Sequence, residues 1–430
     1  MHDVHITPVR EISPDWVAQV TQGRVHPPVK PALDLTWDSR KVKPGSAFIA
    51  LPGTKVHGRE FAQAALQAGA AFVLTDQAHP GAVQVADPAR ALLELGHALR
   101  KEFSGTVVGV GGSSGKTTTK EAIAQGLGWP APEGNLNNAP GLAQFFFRLQ
   151  PHAPGAVVEL GIDRLGEMAE LCYLAEPHLG VLTTLGAEHL EGLGTLENVI
   201  REETGLLASS QVRLASTQAA ELVNLPGLKT YGIEAGDFRA TDLELSLDST
   251  RFRFNGERVY LPYPGFGPLL GALAALAVAE LVGVALEPVI ERLARLQLPF
   301  GRMERVHKGG LIFLNDAYNS NPLSLRAGLE FLSHLPGRKW LVLGEMRELG
   351  EESLAYHLEA ARLAASVSPD VVFVGKYAPA QAAKTGKVGL ETLEEAKAYL
   401  KTHAQAGDLV YLKASRSIGL EQLLEGWDAQ

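Results

Sequence analysis

Cysteine is almost absent from the sequence, and this excludes several classes of structure. The single residue, Cys172, cannot form an intramolecular disulfide or a zinc site with several cysteine ligands, so we expect it in the core of a protein from a reducing compartment. Basic residues are not in excess either, since the sequence contains 39 Lys and Arg and 48 Asp and Glu, which gives a net charge of −9. No sequence-wide basic field therefore exists to bind a nucleic acid or an anionic membrane.

Long hydrophobic runs are missing as well. The most apolar stretch, 269–286, contains Glu280 and two glycines and follows several prolines, so it predicts a buried helix rather than a membrane span. The first sixteen residues lack a basic segment followed by an apolar run. We therefore expect no secretory signal and a cytoplasmic location.

The composition that remains is globular, with 46% hydrophobic and 20% charged residues. Short apolar runs such as TVVGVGG, KWLVLGE and DLVYLKA alternate with longer helical patterns, which predicts an α/β fold with parallel sheets built from βαβ units. A chain of 430 residues should hold roughly three domains. Breaks in the pattern place them at 1–104, 105–299 and 300–430.

One motif predicts phosphate binding. In TVVGVGGSSGKTTTK (106–120) an apolar strand runs into a Gly/Ser turn, and Lys-Thr-Thr then opens a helix. Glycines let the backbone N–H groups point at phosphate oxygens, and the helix adds its positive end. Lys116 would reach the outer phosphates and Thr117 would bind Mg²⁺. Val110 stands where the longer pattern has glycine, so the match is to a shorter form: Gly112, Ser113, Ser114, Gly115, Lys116, Thr117 and Thr118.

Together with other segments, this loop resembles the Mur ligases, the ATP-dependent amide-bond-forming enzymes of peptidoglycan synthesis. The resemblance spans nearly the whole chain and is carried by NLNNAPG (135–141), VVELGIDRLGEM (157–168), LTTLGAEHLEGLGTLENV (182–199), GRMERV (301–306), NDAYNSNPLSLRAGLEFL (315–332) and LVLGEMRELGEES (341–353), with further stretches at 34–61 and 410–425. DAYNSNP (316–322) is similar to the branch that joins D-alanyl-D-alanine to UDP-N-acetylmuramoyl-tripeptide.

The resemblance implies a fold, cofactors and a reaction. The fold would be a smaller N-terminal α/β domain, a central P-loop sheet and a Rossmann-like C-terminal domain. ATP and Mg²⁺ would be the cofactors, and the chain would act as a monomer. A peptide carboxylate would attack the γ-phosphate of ATP to give an acyl phosphate, from which the incoming amine would displace phosphate.

The family's metal ligands carry over with one departure. The resemblance implies that Thr117 and Glu159 bind Mg²⁺ and that His189 binds a second metal ion. Relatives carry a carbamylated lysine fourteen residues after this histidine, but Glu203 stands there in this chain. We interpret Glu203 as an unmodified carboxylate in that role and expect it, with Lys116 and His189, to be catalytic. Alternatively, Glu203 belongs to a solvated helix face, or the neighbouring Glu202 is the ligand.

The other site residues that the resemblance implies form three groups. Nucleotide contacts would come from Asn138, Arg302 and Asp316 in addition to the loop. Contacts to the peptide substrates would come from Asn137, Tyr318, Asn319, Asn321, Lys413 and Arg416. The uridine nucleotide would lie against Ser39, Arg40, His57 and Gly58.

A second departure concerns adenine, because 262–276 carries Gly267, Pro268 and Gly271 where relatives have polar residues. The base pocket must therefore be lined differently. Two other functions stay open from the sequence: a ligase of the same family that adds a single amino acid, and a regulatory nucleotide-binding relative that has lost ligation.

The Glu203 hypothesis makes a prediction about carbon dioxide. A permanent carboxylate needs no carbamylation, so phosphate release should not depend on dissolved CO₂. Glu203→Ala should release phosphate more slowly and need more Mg²⁺, without rescue by bicarbonate, because Mg²⁺ would lose an oxygen ligand. Phosphate release measured against Mg²⁺ concentration in CO₂-stripped buffer checks this, and Glu202→Ala tests the neighbouring residue as the alternative ligand. Loss of parent activity on stripping, or a Glu203→Ala variant equal to the parent at every Mg²⁺ level, would contradict it.

Overall fold

The computed structural model describes residues 11–53 and 56–427, which form three sheets in succession along the chain. The domain boundaries expected near 104 and 299 fall between these sheets, in segments without helix or strand. Strands occur at every apolar run named above, so the α/β fold class predicted from the sequence is confirmed.

The first sheet is the smallest. Its strands are β1 (Arg24–His26), β2 (Asp34–Thr36), β3 (Ser46–Ile49), β4 (Phe72–Thr75) and β5 (Ala82–Gln84). The accompanying helices are α1 (Pro14–Thr21), α2 (Ala62–Gln67) and α3 (Pro88–Lys101), with 3₁₀ segments at Ser39–Lys41 and Gly58–Phe61. The strand order is β1-β5-β4-β3-β2, and β1 alone among them runs antiparallel to its neighbour.

The central sheet has the strand order β13-β12-β11-β10-β9-β8-β6-β7, with β6 (Thr106–Gly111), β7 (Gly155–Glu159), β8 (Leu179–Leu182), β9 (Val212–Ser216), β10 (Lys229–Ile233), β11 (Phe238–Leu245), β12 (Thr250–Phe254) and β13 (Glu257–Leu261). Its helices are α4 (Lys116–Leu127), α5 (Ala139–Arg148), α6 (Glu167–Ala175), α7 (Leu190–Leu193), α8 (Leu196–Ala208), α9 (Thr217–Ala220), α10 (Phe266–Leu281) and α11 (Leu286–Leu293). Strands β6 to β11 are parallel, and β12 and β13 add an antiparallel edge.

The third sheet has the order β14-β15-β19-β16-β17-β18, with β14 (Glu304–Lys308), β15 (Leu311–Asn315), β16 (Lys339–Leu343), β17 (Asp370–Val374), β18 (Val388–Leu390) and β19 (Leu409–Lys413). Its helices are α12 (Pro322–Ser333), α13 (Ser353–Val367), α14 (Ala378–Thr385) and α15 (Leu393–His403), with 3₁₀ segments at Gly350–Glu352, Arg416–Ile418 and Leu420–Leu424. Only β14 pairs antiparallel within this sheet.

Helices cover both faces of parallel strands such as β6, β7, β8 and β16, and the sequences of these strands are accordingly apolar at nearly every position. The first and central domains share one apolar core, in which Leu95 of α3 packs with Leu142 of α5 and Leu174 of α6. Cys172 is buried in the same cluster, as expected. The apolar stretch near residue 270 forms the buried helix α10, and a Cβ at its Gly271 would lie 3.2 Å from the Thr118 carbonyl oxygen on α4. Within 11–53 and 56–427, no helix has the length and apolarity that a membrane crossing requires.

Packing between α12 and β19 makes a stability prediction. A Cβ at Gly328 would overlap Tyr411 Oη, which donates a 3.0 Å hydrogen bond to Asp316. Gly328→Ala should destabilise the protein by about 1–3 kcal/mol, because the rigid phenol ring must move within a packed core. Urea unfolding followed by tryptophan fluorescence measures this. Gly267→Ala is the control, because open space surrounds its Cβ position on α10 and it should lose no stability.

Candidate active site

The phosphate loop joins the end of β6 to the start of α4 at Lys116. Gly112 and Gly115 have φ angles of 117° and 86°, which side chains other than glycine rarely adopt. A Cβ at Gly112 would also collide with Thr183 on the segment that follows β8. The glycines of the motif are therefore required by the turn itself.

A cavity of about 340 Å³ lies where this loop faces the third domain. Most of the residues that the sequence predicted for the nucleotide and the dipeptide line it, namely Ser113, Ser114, Gly115, Lys116, Thr117, Thr118, Asn137, Glu159, His189, Arg302, Asp316, Tyr318, Asn319, Asn321 and Lys413. They come from two domains and from widely separated parts of the chain. The carboxyl ends of the parallel strands meet here, where open α/β sheets bind ligands.

Glu159 ends β7 with its side chain buried in this cavity. Its Oε1 accepts a 3.0 Å hydrogen bond from Asn137 Nδ2, whereas its Oε2 is buried and has no hydrogen-bond partner in the described structure. A buried carboxylate oxygen without a donor is unfavourable unless a cation neutralises it. Thr117 lines the same cavity. These two residues therefore fit Mg²⁺, which prefers hard oxygen ligands.

The Lys116 ammonium is held by two acceptors. Its Nζ lies 2.6 Å from the Gly112 carbonyl oxygen and 2.6 Å from Glu188 Oε1. Burial lowers the pKa of Lys116, but the carboxylates of Glu188 and Glu203 outweigh it and the pKa is raised above its ordinary value. Burial likewise acts to raise the pKa of Glu188, and Lys116 and His189 hold it below its ordinary value. The pair is therefore ionised at neutral pH.

His189 bridges two carboxylates. Its Nε2 lies 3.1 Å from Glu188 Oε1 and its Nδ1 lies 2.6 Å from Glu348 Oε2 in the third domain. Burial lowers the pKa of His189, but the hydrogen bonds with Glu188 and Glu348 raise it to about 9. The ring is therefore a cation at neutral pH in this arrangement, and it must release a proton before it can bind a metal ion.

Glu203 lies on α8, 1% exposed, behind the phosphate loop rather than in the cavity wall. Its Oε2 accepts a 2.6 Å hydrogen bond from the Gly112 N–H, and burial raises its pKa to about 7. In the part of the chain that the structure describes, no three or more His, Cys, Asp or Glu side chains are grouped so that they could hold a metal ion. Glu159, His189 and Glu203 are thus not one ligand set here, and a metal role for Glu203 stays a prediction.

The wall opposite the loop is partly aromatic. The Arg302 guanidinium lies 4.1 Å from the centre of the Tyr318 ring, and burial lowers the pKa of Arg302. Phe266, Gly267 and Pro268 at the start of α10 form a neighbouring part of the wall. The segment in which the sequence lacks the family's polar residues therefore does reach the cavity, and the atoms it offers there are mainly apolar.

Two residues predicted to bind substrates are engaged with the protein itself. Lys413 Nζ lies 2.6 Å from Asp316 Oδ2, and only 4% of the Lys413 side chain is exposed. Asn321 caps α12, since its side chain accepts from the Ser324 N–H at 2.8 Å. Asn319 is exposed at the cavity, and its Oδ1 accepts a hydrogen bond from the Ser320 N–H. Of these three residues, Asn319 is the most accessible to a ligand in the cavity.

The other predicted residues lie outside the cavity wall. Asn138 is the N-cap of α5, with its side-chain oxygen accepting from the Gly141 N–H, and its nucleotide contact stays a prediction. Arg416 is largely exposed and pairs with Glu421. Uridine binding was predicted for a group on the first domain that is separate from the cavity and consists of Ser39, Arg40, His57 and Gly58. Arg40 is highly exposed and forms two 2.9 Å hydrogen bonds with Asp38.

Sequence reasoning missed two acidic residues. Glu188 directly precedes His189 in the sequence, and a carboxylate beside a candidate metal-binding histidine was the available signal. Glu348 lies 159 positions after His189, in the LGEMRELG segment, so no local pattern indicated their contact.

Comparisons with known proteins agree along the chain. Profiles of the Mur ligase family catalytic domain, the Mur ligase middle domain and the Mur ligase glutamate ligase domain match residues 34–99, 110–279 and 301–416. The UDP-N-acetylmuramoyl-tripeptide–D-alanyl-D-alanine ligase of Treponema pallidum is 32% identical over 90% of this chain and 92% of its own length.

Solved structures give the same result. A crystal structure of MurF from Acinetobacter baumannii superposes with a TM-score of 0.88 at 28% identity and covers 97% of this chain and 98% of that one. MurF ligase from Thermotoga maritima, solved in complex with ADP, superposes with a TM-score of 0.81 at 30% identity, covering 91% and 96% of the two chains.

The unpartnered oxygen of Glu159 makes a prediction about metal binding. Glu159→Gln keeps an acceptor for Asn137 and removes the charge, so the fold should persist while Mn²⁺ binding in the presence of ADP weakens about tenfold or more. Electron paramagnetic resonance of free Mn²⁺ during a titration measures this without turnover. Glu221→Gln, an exposed change in the same domain, should bind Mn²⁺ like the parent. Equal Mn²⁺ affinity in Glu159→Gln and the parent would exclude Glu159 as a ligand.

Proposed function

Because the chain belongs to the Mur ligase family, we propose that it is an ATP-dependent ligase that joins D-alanyl-D-alanine to UDP-N-acetylmuramoyl-tripeptide. The observation that carries this is the cavity in which the phosphate loop, Glu159 and the DAYNSNP segment meet. The relative that carries this activity in its name matches nine tenths of the chain, not only the loop. A nucleotide-binding loop alone would not identify the two substrates that the enzyme joins.

In the first step a carboxylate oxygen of the peptide attacks the γ-phosphorus of ATP. The bond between this phosphorus and the oxygen that bridges to the β-phosphate breaks, which gives an acyl phosphate and ADP. Negative charge gathers on the transferring group, so the residues must position and neutralise it. Lys116 and the N–H groups of the loop supply donors. Thr117 and Glu159, with His189 as a further candidate, would hold Mg²⁺, which when bound neutralises charge on phosphoryl oxygens.

In the second step the amine of the dipeptide attacks the acyl carbon, the bond from carbon to the phosphate oxygen breaks, and the nitrogen loses a proton. The third domain presents the dipeptide, with Asn319 exposed beside the cavity and Arg416 free to pair with a carboxylate if it leaves Glu421. Tyr318 and Asn137 line the same space. Lys413 acts through Asp316, to which it is bound.

The uridine nucleotide would bind on the first domain, against Ser39, Arg40, His57 and Gly58. Its peptide arm would then extend toward the cavity, because the phosphoryl transfer takes place at the loop. A cytoplasmic location accords with this assignment, since both ATP and the uridine nucleotide are soluble substrates. A monomer accords with it because one chain supplies the residues that line the cavity.

A panel of acceptors tests the function. With the nucleotide tripeptide present, D-alanyl-D-alanine should give ATP-dependent phosphate release and an amide product, and single amino acids should give at most traces. Lys116→Ala should lower turnover by orders of magnitude, because the developing phosphoryl charge loses its cation. Coupled phosphate assays and mass spectrometry of the product measure both. Ligation of a single amino acid in preference to the dipeptide would assign the chain to another ligase of the family, and absence of any ligation would refute the proposal.

A further inference from the structure

Glu188 contacts three groups that the reaction brings together. Its Oε1 accepts from Lys116 Nζ at 2.6 Å and from His189 Nε2 at 3.1 Å, and its Oε2 accepts from Asn321 Nδ2 at 3.1 Å. Lys116 and His189 belong to the central domain, whereas Asn321 begins α12 of the third. We propose that Glu188 is a positioning residue that couples the placement of Lys116 to the docking of the third domain through Asn321.

The hydrogen bonds of Asn321 support this role. Its two amide hydrogens go to Ser113 O at 3.0 Å and to Glu188 Oε2, and its Oδ1 is used by the Ser324 N–H. The side chain therefore has no free hydrogen for a dipeptide in this arrangement. It contacts the phosphate loop and the carboxylate that holds the loop's lysine, so its role is to join the domains.

Neighbouring contacts place the same segment at the domain junction. His189 Nδ1 pairs with Glu348 of the third domain at 2.6 Å. A Cβ at Gly186 would lie 2.5 Å from Leu323 of α12, so the backbone there approaches that helix closely. Ser113 exchanges hydrogen bonds of 2.9 and 3.0 Å with the Gly186 backbone. Opening of the third domain would therefore break the Glu188–Asn321 bond and leave the Lys116–Glu188 pair intact.

The coupling has consequences of opposite sign for binding and turnover. Glu188 competes with nucleotide phosphates for the Lys116 ammonium, so removing its charge should strengthen nucleotide binding. The same change weakens the link to Asn321, so the closed arrangement needed for transfer should be less populated and turnover should fall. A residue that only stabilised the fold would weaken both.

Two variants separate these effects. Glu188→Gln keeps the side-chain shape and removes the charge. Asn321→Ser keeps an N-cap oxygen for α12 and removes both amide hydrogens. Glu191→Gln is the matched control, because Glu191 lies three positions after Glu188 and its side chain is exposed. Thermal melting of each variant establishes that it is folded.

Glu188→Gln should bind ADP several-fold more tightly by calorimetry and lower kcat about tenfold or more, with the KM for the uridine nucleotide unchanged. Asn321→Ser should lower kcat to a similar extent and leave the Kd for ADP within about twofold. The double variant should have a kcat no lower than that of the more impaired single variant, because both changes break the same Glu188–Asn321 contact. Small-angle scattering should show a larger radius of gyration than the parent for both variants with ADP bound.

Other results overturn the inference. Unchanged or weaker ADP binding in Glu188→Gln would contradict it, and so would a parent-like kcat in folded Asn321→Ser. A double variant whose fold-loss of kcat equals the product of the two single losses would also contradict it. The inference rests on the proposed ligase function only for kcat. If the parent protein fails to ligate, ADP affinity and scattering still test the coupling, so the two failures can be told apart.

Discussion

The buried pairing of Lys116 with Glu188 determines how the rest of the site is arranged. An ammonium and a carboxylate that both leave water must stay together, because either one alone would be an uncompensated buried charge. The segment after β8 therefore has to dock on the phosphate loop, and the hydrogen bonds from Ser113 to Thr184 and Gly186 show it doing so. Loop conformation, lysine position and domain contact consequently depend on one network.

The site is rich in carboxylates for one that must bind a polyanion. Glu159 and Glu188 face the cavity and Glu203 lies directly behind the loop, so the cations nearby are largely neutralised before any phosphate arrives. Such an arrangement favours binding of the nucleotide together with a divalent metal ion, because the metal ion then supplies the largest positive charge in the site. The unpartnered oxygen of Glu159 is where this requirement is most direct.

The two junctions between neighbouring domains are held by different kinds of contact. The first and central domains share an apolar core through α3, α5 and α6, which resists separation because opening it would expose apolar surface. The third domain packs against Ala187 and Phe266 of the central domain, and at the cavity it also makes hydrogen bonds and ion pairs through Asn321 and Glu348. Ligands can exchange these polar contacts at little net change in free energy.

Local pattern determined much of this protein. Apolar runs predicted the strands, the Gly/Ser turn before Lys116 predicted the phosphate loop, and the strand-end position of Glu159 predicted a carboxylate at the cavity, because each depends on residues close together in the chain. The antiparallel pairing at the sheet edges, by β1, by β12 with β13, and by β14, was not apparent, since pairing direction depends on where strands meet. The contacts of Glu188, the pairing of Glu348 with His189 and the contact of Asn321 with the phosphate loop were likewise decided only in three dimensions. A polar group selects its partner by distance in space, and packing of the domains brings together groups that lie up to 208 positions apart in the sequence.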